Sequence, residues 1–292
     1  MNDSLIQIKD SFMQNVTCLE KTQQGPEKLE FFSFHRDGKL VQKAPKCALS
    51  LRAAGSMRFR WDETNPKRDE FFNKLFSLGL STGHSIVPVQ LDHTHLVYDV
   101  KNADDSQNKI GDGIITANRN LVPTVTVADC MPLYLYEPET GVFGIVHSGW
   151  KGTGIVADAI KLAEKNYGAG AKNFLIVIGP HIRECCYIVN EERAAWFGEN
   201  FTPECVTPLE RGVVVSWNTG GGPLYRLSLE KANLAAIKKA GVPESNIWIH
   251  PACTCCTKNI SGEFIYGSNR RETAAAGKPD KFTVQAAFIF VN

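Results

Sequence analysis

Cys130 and His147 are the residues of this chain best placed to share chemistry. They stand 17 residues apart, in Ala128-Asp129-Cys130-Met131-Pro132 and Val146-His147-Ser148-Gly149-Trp150-Lys151-Gly152. A thiol beside an imidazole forms either a nucleophile–base pair or two ligands of a zinc-like metal ion. The plain alternative is a buried structural cysteine with a hydrogen-bonded histidine, since both residue types occur in cores. A metal site needs a third ligand, and His84, His93 and His95 are the nearby candidates. Spacing alone does not choose among the three. Two histidines and one cysteine would leave a fourth zinc position open for water or substrate, as catalytic sites require.

Proximity in space depends on the elements around the pair. Leu133–Tyr136 and Phe143–Val146 read as strands, and Glu137-Pro138-Glu139-Thr140-Gly141 between them reads as a hairpin loop. Cys130 then falls just before the first strand and His147 just after the second, so an antiparallel hairpin sets them side by side. Further strand-like runs are Ile86–Val89, Leu96–Val100, Val122–Val127, Phe174–Ile178, Val213–Trp217 and Phe288–Val291. Apolar residues at helical spacing predict helices over Asp69–Leu80, Thr153–Tyr167 and Leu227–Ala240, the last stopped by Gly241. Strands and helices mixed along the chain predict an α/β (mixed α+β) fold. We expect a single-domain layered sandwich over residues 1–292, with mixed β-sheets flanked by helices and residues 1–29 as a peripheral extension.

Composition narrows the function classes. The 292 residues carry a formal charge of +1, with 43% hydrophobic and 22% charged residues. This gives no electrostatic reason to expect nucleic acid or an anionic membrane as a partner. No apolar run approaches the roughly 20 residues of a membrane helix. Met1 to Lys21 lacks the apolar core of a signal peptide, so a cytoplasmic location is expected. Nothing in the sequence sets an oligomeric state. Nine cysteines, an odd number without even spacing, read as reduced thiols and not as a disulfide framework. Cys185-Cys186 and Cys253-Thr254-Cys255-Cys256 contain a single Cys-x-x-Cys unit with no suitable histidine after it. They are read as buried or redox-prone thiols and not as a zinc finger.

Phosphate binding has two candidates. Lys151 enters the predicted helix at Thr153, where backbone N–H groups favour an anion; a solvated lysine at a helix-start turn is the plain reading. Arg270 and Arg271 offer guanidinium groups that match phosphate geometry, against a reading as surface arginines. If residues 93–95 are extended, His93 and His95 share one strand face, and His95 is a second-layer group, a substitute ligand or, more plainly, an ordinary polar histidine. Asp129 would point away from Cys130 and is read as structural.

Taken together, these motifs resemble the laccase-domain family, also called the multicopper polyphenol oxidoreductase family. Its Ala-Asp-Cys-x-Pro pattern matches Ala128 to Pro132, and its His-(Ala/Ser)-Gly-Trp-(Arg/Lys)-Gly pattern matches His147 to Gly152. Gly179-Pro180-His181-Ile182 with Tyr187, Asp112 to Thr116, and Cys253-Thr254 ahead of Ser268-Asn269-Arg270-Arg271 follow in family order. Departures occur where Phe32-Ser33-Phe34-His35-Arg36-Asp37-Gly38 stands for Thr-Arg-x-Gly-Gly, Leu91-Asp92 for Gln-Val, and Asn269 for Tyr. The family's first ligand lies in a His-(Ser/Gly/Thr)-x-x-Val segment, which matches His93 to Val97; Pro88 stands where the Val after His84 should be. The resemblance thus implies His93, Cys130 and His147 as metal ligands, with zinc as the cofactor and copper as the alternative ion.

It also implies a zinc-dependent purine nucleoside phosphorylase acting on adenosine, inosine, guanosine or methylthioadenosine, with adenosine deaminase activity. Its partners would be a nucleoside and phosphate. Cys130, His147 and Asp112 are the catalytic candidates, Asp112 for substrate binding or proton transfer. Lys151, Arg270 and Arg271 are the phosphate candidates, the arginines strengthened by their match to the family. The competing readings are a metal-free Cys–His hydrolase or deamidase, a copper-dependent phenol oxidase and a non-enzymatic metal-binding protein. Multicopper sites use many histidines, and this chain has seven scattered ones.

Overall fold

Alternation along the central strands sets the architecture. Leu133 and Leu135 pack in one core and Tyr134 in another; Ile176 and Ile178 join the first, Leu175 and Val177 the second. Strands buried on both faces must lie inside a stack of layers. The computed structural model describes residues 28–77, 83–210, 222–276 and 281–291. With strands numbered in chain order, the first sheet runs β1 (Leu29–Phe32), β4 (Lys46–Ser50), β16 (Gln285–Phe290), β8 (Leu121–Val127), β5 (Ser85–Pro88). The second runs β15 (Ile247–Ile249), β11 (Leu175–Ile178), β9 (Met131–Glu137), β10 (Val142–Ser148), β7 (Gly113–Thr116), β6 (Val97–Asp99). Both are mixed: β5–β8, β15–β11 and β6–β7 pair parallel, and the remaining pairs are antiparallel. A small sheet of β12 (Ile188–Asn190), β14 (Leu224–Leu227) and β13 (Val206–Pro208) and a ribbon of β2 (His35–Arg36) and β3 (Lys39–Leu40) complete the strands.

The two large sheets pack face to face. Cys47, Leu49, Val125, Ala287 and Ile289 from the first meet Tyr134, Phe143, Leu175 and Val177 from the second. Tyr134 Oη donates to the Ala48 carbonyl at 2.8 Å, so this buried phenol is satisfied across the sandwich. Outside the first sheet, Ala48, Phe288 and Phe290 pack on Phe72 and Leu75 of α1 (Pro66–Ser77). Outside the second lie α2 (Ile155–Tyr167) and α4 (Leu229–Lys239), joined by α3 (Glu191–Asn200) and the small sheet. This is the layered α/β sandwich expected from the sequence. Among the described residues, no helix is long and apolar enough to cross a membrane.

Element boundaries move for local reasons. The helix expected from Thr153 starts at Ile155 because Gly154 takes φ +94°, and it ends at Gly168 with φ +70°. The helix expected from Leu227 starts at Leu229, after Ser228 accepts the Lys231 N–H. The strand expected over Leu96–Val100 shortens to β6. α3, capped by Asn190 on the Arg193 N–H, and α5 (Asn269–Ala276) were not anticipated. The expected strand Val213–Trp217, residues 78–80 of the first expected helix and all but the end of the 1–29 extension lie outside the described residues.

Candidate active site

The β9–β10 hairpin forms as expected, with its turn at residues 138–141. Its register pairs His147 with Pro132 and Ser148 with Met131, which leaves Cys130 one step beyond the paired end, beside His147. On the other edge of β10, Val146 pairs with Gly113, so Asp112 also comes alongside His147. The His147 N–H donates to the Asp112 carbonyl at 2.7 Å. The third side chain arrives from the loop before β6. The Asp112 carboxylate fixes that loop by accepting the His93 N–H at 3.0 Å, the Thr94 N–H at 2.6 Å and the Thr94 hydroxyl at 2.8 Å. The same carboxylate holds His147 Nδ1 at 2.8 Å. One buried acid thus positions both histidines, and ligand atoms of His93, Cys130 and His147 lie within 4.8 Å of one another.

Two expectations change here. Residues 91–96 form a loop, not a strand, and His93 has φ +56°. His93 and His95 therefore do not share a strand face; His95 pairs at the surface with Asp158 (2.7 Å) and the Lys151 carbonyl (3.1 Å). Asp112 is fully buried beneath the histidines, and its oxygens are committed to them and to Thr94. The direct substrate role expected of it gives way to a positioning one.

Backbone strain marks the same place. Asp129, with φ +79°, lies in the bend between β8 and β9, turning the chain immediately before Cys130. A non-glycine residue in this region costs about 1–2 kcal/mol and persists where its surroundings hold it. Asp129 accepts from Thr254 Oγ1 (2.7 Å), Ser268 Oγ (3.0 Å) and the Arg270 N–H (2.6 Å). Its role is structural, as read from the sequence. Burial nonetheless pushes its carboxyl above the usual range against these bonds.

Electrostatics prepare the trio for a cation. Burial pushes the Cys130 thiol up, but the charge and hydrogen bond of His147, with help from His93, outweigh it and bring the thiol down to about 6. Burial likewise opposes charge on His147, and Cys130 with Asp112 outweighs it, lifting the imidazole to about 10. The pair on its own is thiolate and imidazolium. A divalent metal ion would take the place of the His147 Nε2 proton and add one unit of positive charge, which the buried Asp112 carboxylate offsets, with Nδ1–H still donated to Asp112 as in carboxylate–histidine–metal arrangements. The donor set of two imidazoles and a thiolate suits zinc and leaves one coordination position open.

Gly149 keeps the centre clear. A Cβ there would stand 2.7 Å from Cys130 Sγ and 3.5 Å from His93 Cδ2. Gly149→Ala is therefore expected to displace the thiolate and weaken zinc binding by about 10-fold or more, as disturbed ligand orientation does elsewhere. Titration of the apoprotein with zinc against a competing chelator checks this; unchanged affinity would mean that the thiolate can move without loss.

A cavity of about 490 Å³ opens over the trio, a size suited to a small molecule. Its walls include Phe59, Arg60, Trp150, Tyr187, Arg193, Asn269, Arg270 and Phe282. Of the sequence candidates for phosphate, only Arg270 reaches it. The Arg271 guanidinium is taken up by the carbonyls of Thr254, Cys255 and Tyr266 and by Glu272. Lys151 lies exposed on an outer face beside Asn190 and Glu192. The amides at the helix start behind it are occupied: Gly154 N–H donates to Asn233 Oδ1 and Ile155 N–H to the Gly152 carbonyl. Arg193 is the cation the sequence did not reveal. Its guanidinium stacks 3.7 Å from the Trp150 ring centroid, and its Nε is buried with no hydrogen-bond partner. Only the third position of α3, which carries no motif, brings it there.

The fold and the site together define a two-sheet α/β protein with a Cys-His-His centre of metal-binding type at the foot of a cavity. Residues 67–280 match the family model described as multi-copper polyphenol oxidoreductase laccase, and the chain belongs to that family. It is 30% identical over 169 residues to the purine nucleoside phosphorylase YlmD of Geobacillus stearothermophilus, covering 57% of each chain. It is 30% identical over 197 residues to the purine nucleoside phosphorylase of Clostridium acetobutylicum, covering 67% of this chain and 75% of that one. The chain thus matches little more than half the length of the first relative. In structure it is similar to the hypothetical protein YfiH of Bacillus licheniformis, with a TM-score of 0.72 at 22% identity over 90% of this chain and 99% of that one. The crystal structure of YlmD from Geobacillus stearothermophilus gives 0.70 at 21% identity, covering 92% and 98%.

Proposed function

We propose that the cavity is the active site of a zinc-dependent purine nucleoside phosphorylase acting on adenosine, inosine, guanosine or methylthioadenosine. One observation carries this reading: His93, Cys130 and His147 converge at a cavity whose remaining walls supply both guanidinium groups and aromatic rings. Relatives named purine nucleoside phosphorylase support it. Phosphorolysis joins a phosphate oxygen to ribose C1′ and breaks the C1′–N bond. The electron pair of that bond leaves with the base, which takes up a proton. His93, Cys130 and His147 would hold the zinc, which would supply Lewis acidity when bound. The protein supplies the rest. Arg193 and Arg270 carry charge-assisted donors for phosphate, and Phe59, Tyr187 and Phe282 offer apolar faces for a purine. Asp112 holds His147 in one tautomer and orientation. Deamination of adenosine at the same site would exchange the C6 amino group for a water oxygen and release ammonia, without phosphate.

Phosphate dependence tests the assignment. Arg193→Ala and Arg270→Ala are each expected to raise the KM for phosphate by ~10- to 100-fold, the loss of one or two hydrogen bonds to a charged group. Arg271→Ala should leave that KM unchanged and lower thermal stability instead. Ribose-1-phosphate formation from adenosine, followed against phosphate concentration, reads all three. Equal phosphate KM values in all the variants would remove the arginines from this role.

The depressed thiol of Cys130, with His147 and Asp112 lined up behind it, also favours a metal-free Cys–His hydrolase as a second reading. Full activity after chelation, lost on Cys130→Ala, would select that reading.

A further inference from the structure

A second group of thiols lies apart from the cavity. Cys185 and Cys186 sit in the loop that leaves β11, and Cys253 and Cys256 in the loop that leaves β15. β11 and β15 are adjacent parallel strands, so both loops emerge at the same end of the sheet. The Thr254 N–H donates to the His181 carbonyl at 3.1 Å and fastens one loop to the other. Parallel pairing thus joins two cysteine pairs that are 71 residues apart between Cys185 and Cys256.

Their geometry is that of a coordination shell. The four Sγ atoms lie within 4.8 Å of one another, and the Cys185–Cys186 and Cys185–Cys256 separations are both 3.8 Å. Four thiolates placed tetrahedrally at about 2.3 Å from a zinc ion have edges of about 3.8 Å. A disulfide would bring two sulfurs to about 2.05 Å, and all four cysteines are free thiols. Cys253 and Cys256 close a tight Cys-x-x-Cys turn in which the Cys256 and Thr257 N–H groups donate to the Cys253 carbonyl. The Arg183 N–H donates to Cys253 Sγ at 3.4 Å, a bond that favours a thiolate. A four-thiolate zinc centre carries net charge −2, and three arginines bind the carbonyls of its loops, two of them also paired with Glu230 and Glu272. Arg183 holds the His250 carbonyl, Arg226 the Glu184 and Cys185 carbonyls, and Arg271 the Thr254 and Cys255 carbonyls. Cys185 and Cys256 are exposed, which gives an ion a route in.

We propose that Cys185, Cys186, Cys253 and Cys256 form a second metal site, which takes a zinc ion in a structural, four-thiolate shell. Four protein ligands leave no open position, so this site does no chemistry on substrate. Each thiol gives up its proton on binding. The site ties together two loops that build the cavity wall. The first carries Ile182 and Tyr187, which line the cavity, and the second carries Thr254, which holds Asp129.

The test is zinc content and zinc-edge X-ray absorption on the full chain, purified under reductant and supplied with zinc. Wild-type protein should hold about two zinc ions per chain. Cys130→Ser should keep about one, with a shell of four sulfurs at about 2.3 Å. The double variant Cys185→Ser/Cys256→Ser should also keep about one, with a mixed nitrogen and sulfur shell. If the double variant does not fold, the Cys130→Ser spectrum still decides. Cys130→Ser protein without zinc, or with a shell poor in sulfur, would overturn the proposal. So would mass loss in the reduced preparation showing that Cys185 or Cys256 is locked in a disulfide.

Discussion

Cys130→Ala is expected to strip zinc from the cavity site and to lower phosphorolysis by about 1000-fold or more. The metal's Lewis acidity is worth several kcal/mol at the transition state, and each 1.36 kcal/mol is a factor of about ten in rate. Three protein ligands leave no redundancy, and the cysteine is the only one that carries charge. Its removal also leaves His147, whose imidazole is lifted to about 10 partly by the thiolate, with Asp112 as its remaining charged partner. His93→Ala and His147→Ala should fall in the same range, whereas His84→Ala should not, because His84 is no part of the convergent group. Zinc content and steady-state turnover on the same preparations check this. A Cys130→Ala protein that keeps its cavity zinc yet loses all turnover would transfer the role of Cys130 from ligand to nucleophile.

Asp112→Ala should cost the fold as well as the site. The carboxylate is fully buried and accepts four hydrogen bonds from His93, Thr94 and His147. Burial pushes its carboxyl up, but His147 and Thr94 outweigh burial and hold it below the usual range, so it is a buried anion with fixed partners. Breaking such an arrangement from one side costs about 3–5 kcal/mol. Asp112→Asn keeps the shape and part of the hydrogen bonding, and should retain most of the stability. It should still weaken zinc binding by ~10- to 100-fold, the usual effect of disturbing a partner behind a metal ligand. Chemical denaturation and competitive zinc titration separate the two effects. Equal zinc affinity in Asp112→Asn and wild type would show that the histidines need no anionic partner to face one another.

The sequence showed this site unevenly, for identifiable reasons. The hairpin was legible because continuous apolar runs flank a Pro-Glu-Thr-Gly turn, and that alone brings Cys130 to His147. His93 was not legible by pattern, since its position depends on a loop with φ +56° held by a carboxylate 19 residues further on; family resemblance was needed to choose it. Asp112 was noticed, but not its place beneath the two histidines, because sequence does not tell whether a carboxylate faces a cavity or lies under it. Lys151 misled through a sound rule applied to a helix whose first amides are already bonded within the protein. Arg193 had no signal. The four-cysteine group was set aside for want of a second Cys-x-x-Cys unit, and the missing half came from a different loop through the β11–β15 adjacency. In the fold, the buried strands β8, β9, β10 and β11 were read correctly and β16 in part, but β4 and β7 were missed; α3, with Ala194 and Phe197 as its buried residues, lacked a strong apolar stripe.

Anomalous diffraction at the zinc edge, from crystals of protein active in phosphorolysis, tests the central claim most directly. One peak should lie about 2.0–2.1 Å from a nitrogen of His93 and of His147 and about 2.3 Å from Cys130 Sγ, with the fourth direction facing the cavity. The ligand atoms, which lie within 4.8 Å of one another, should then stand about 3.3–3.6 Å apart, the spacing those bond lengths impose. Active crystals with no peak at this position would contradict the account, even if zinc were found at the four cysteines.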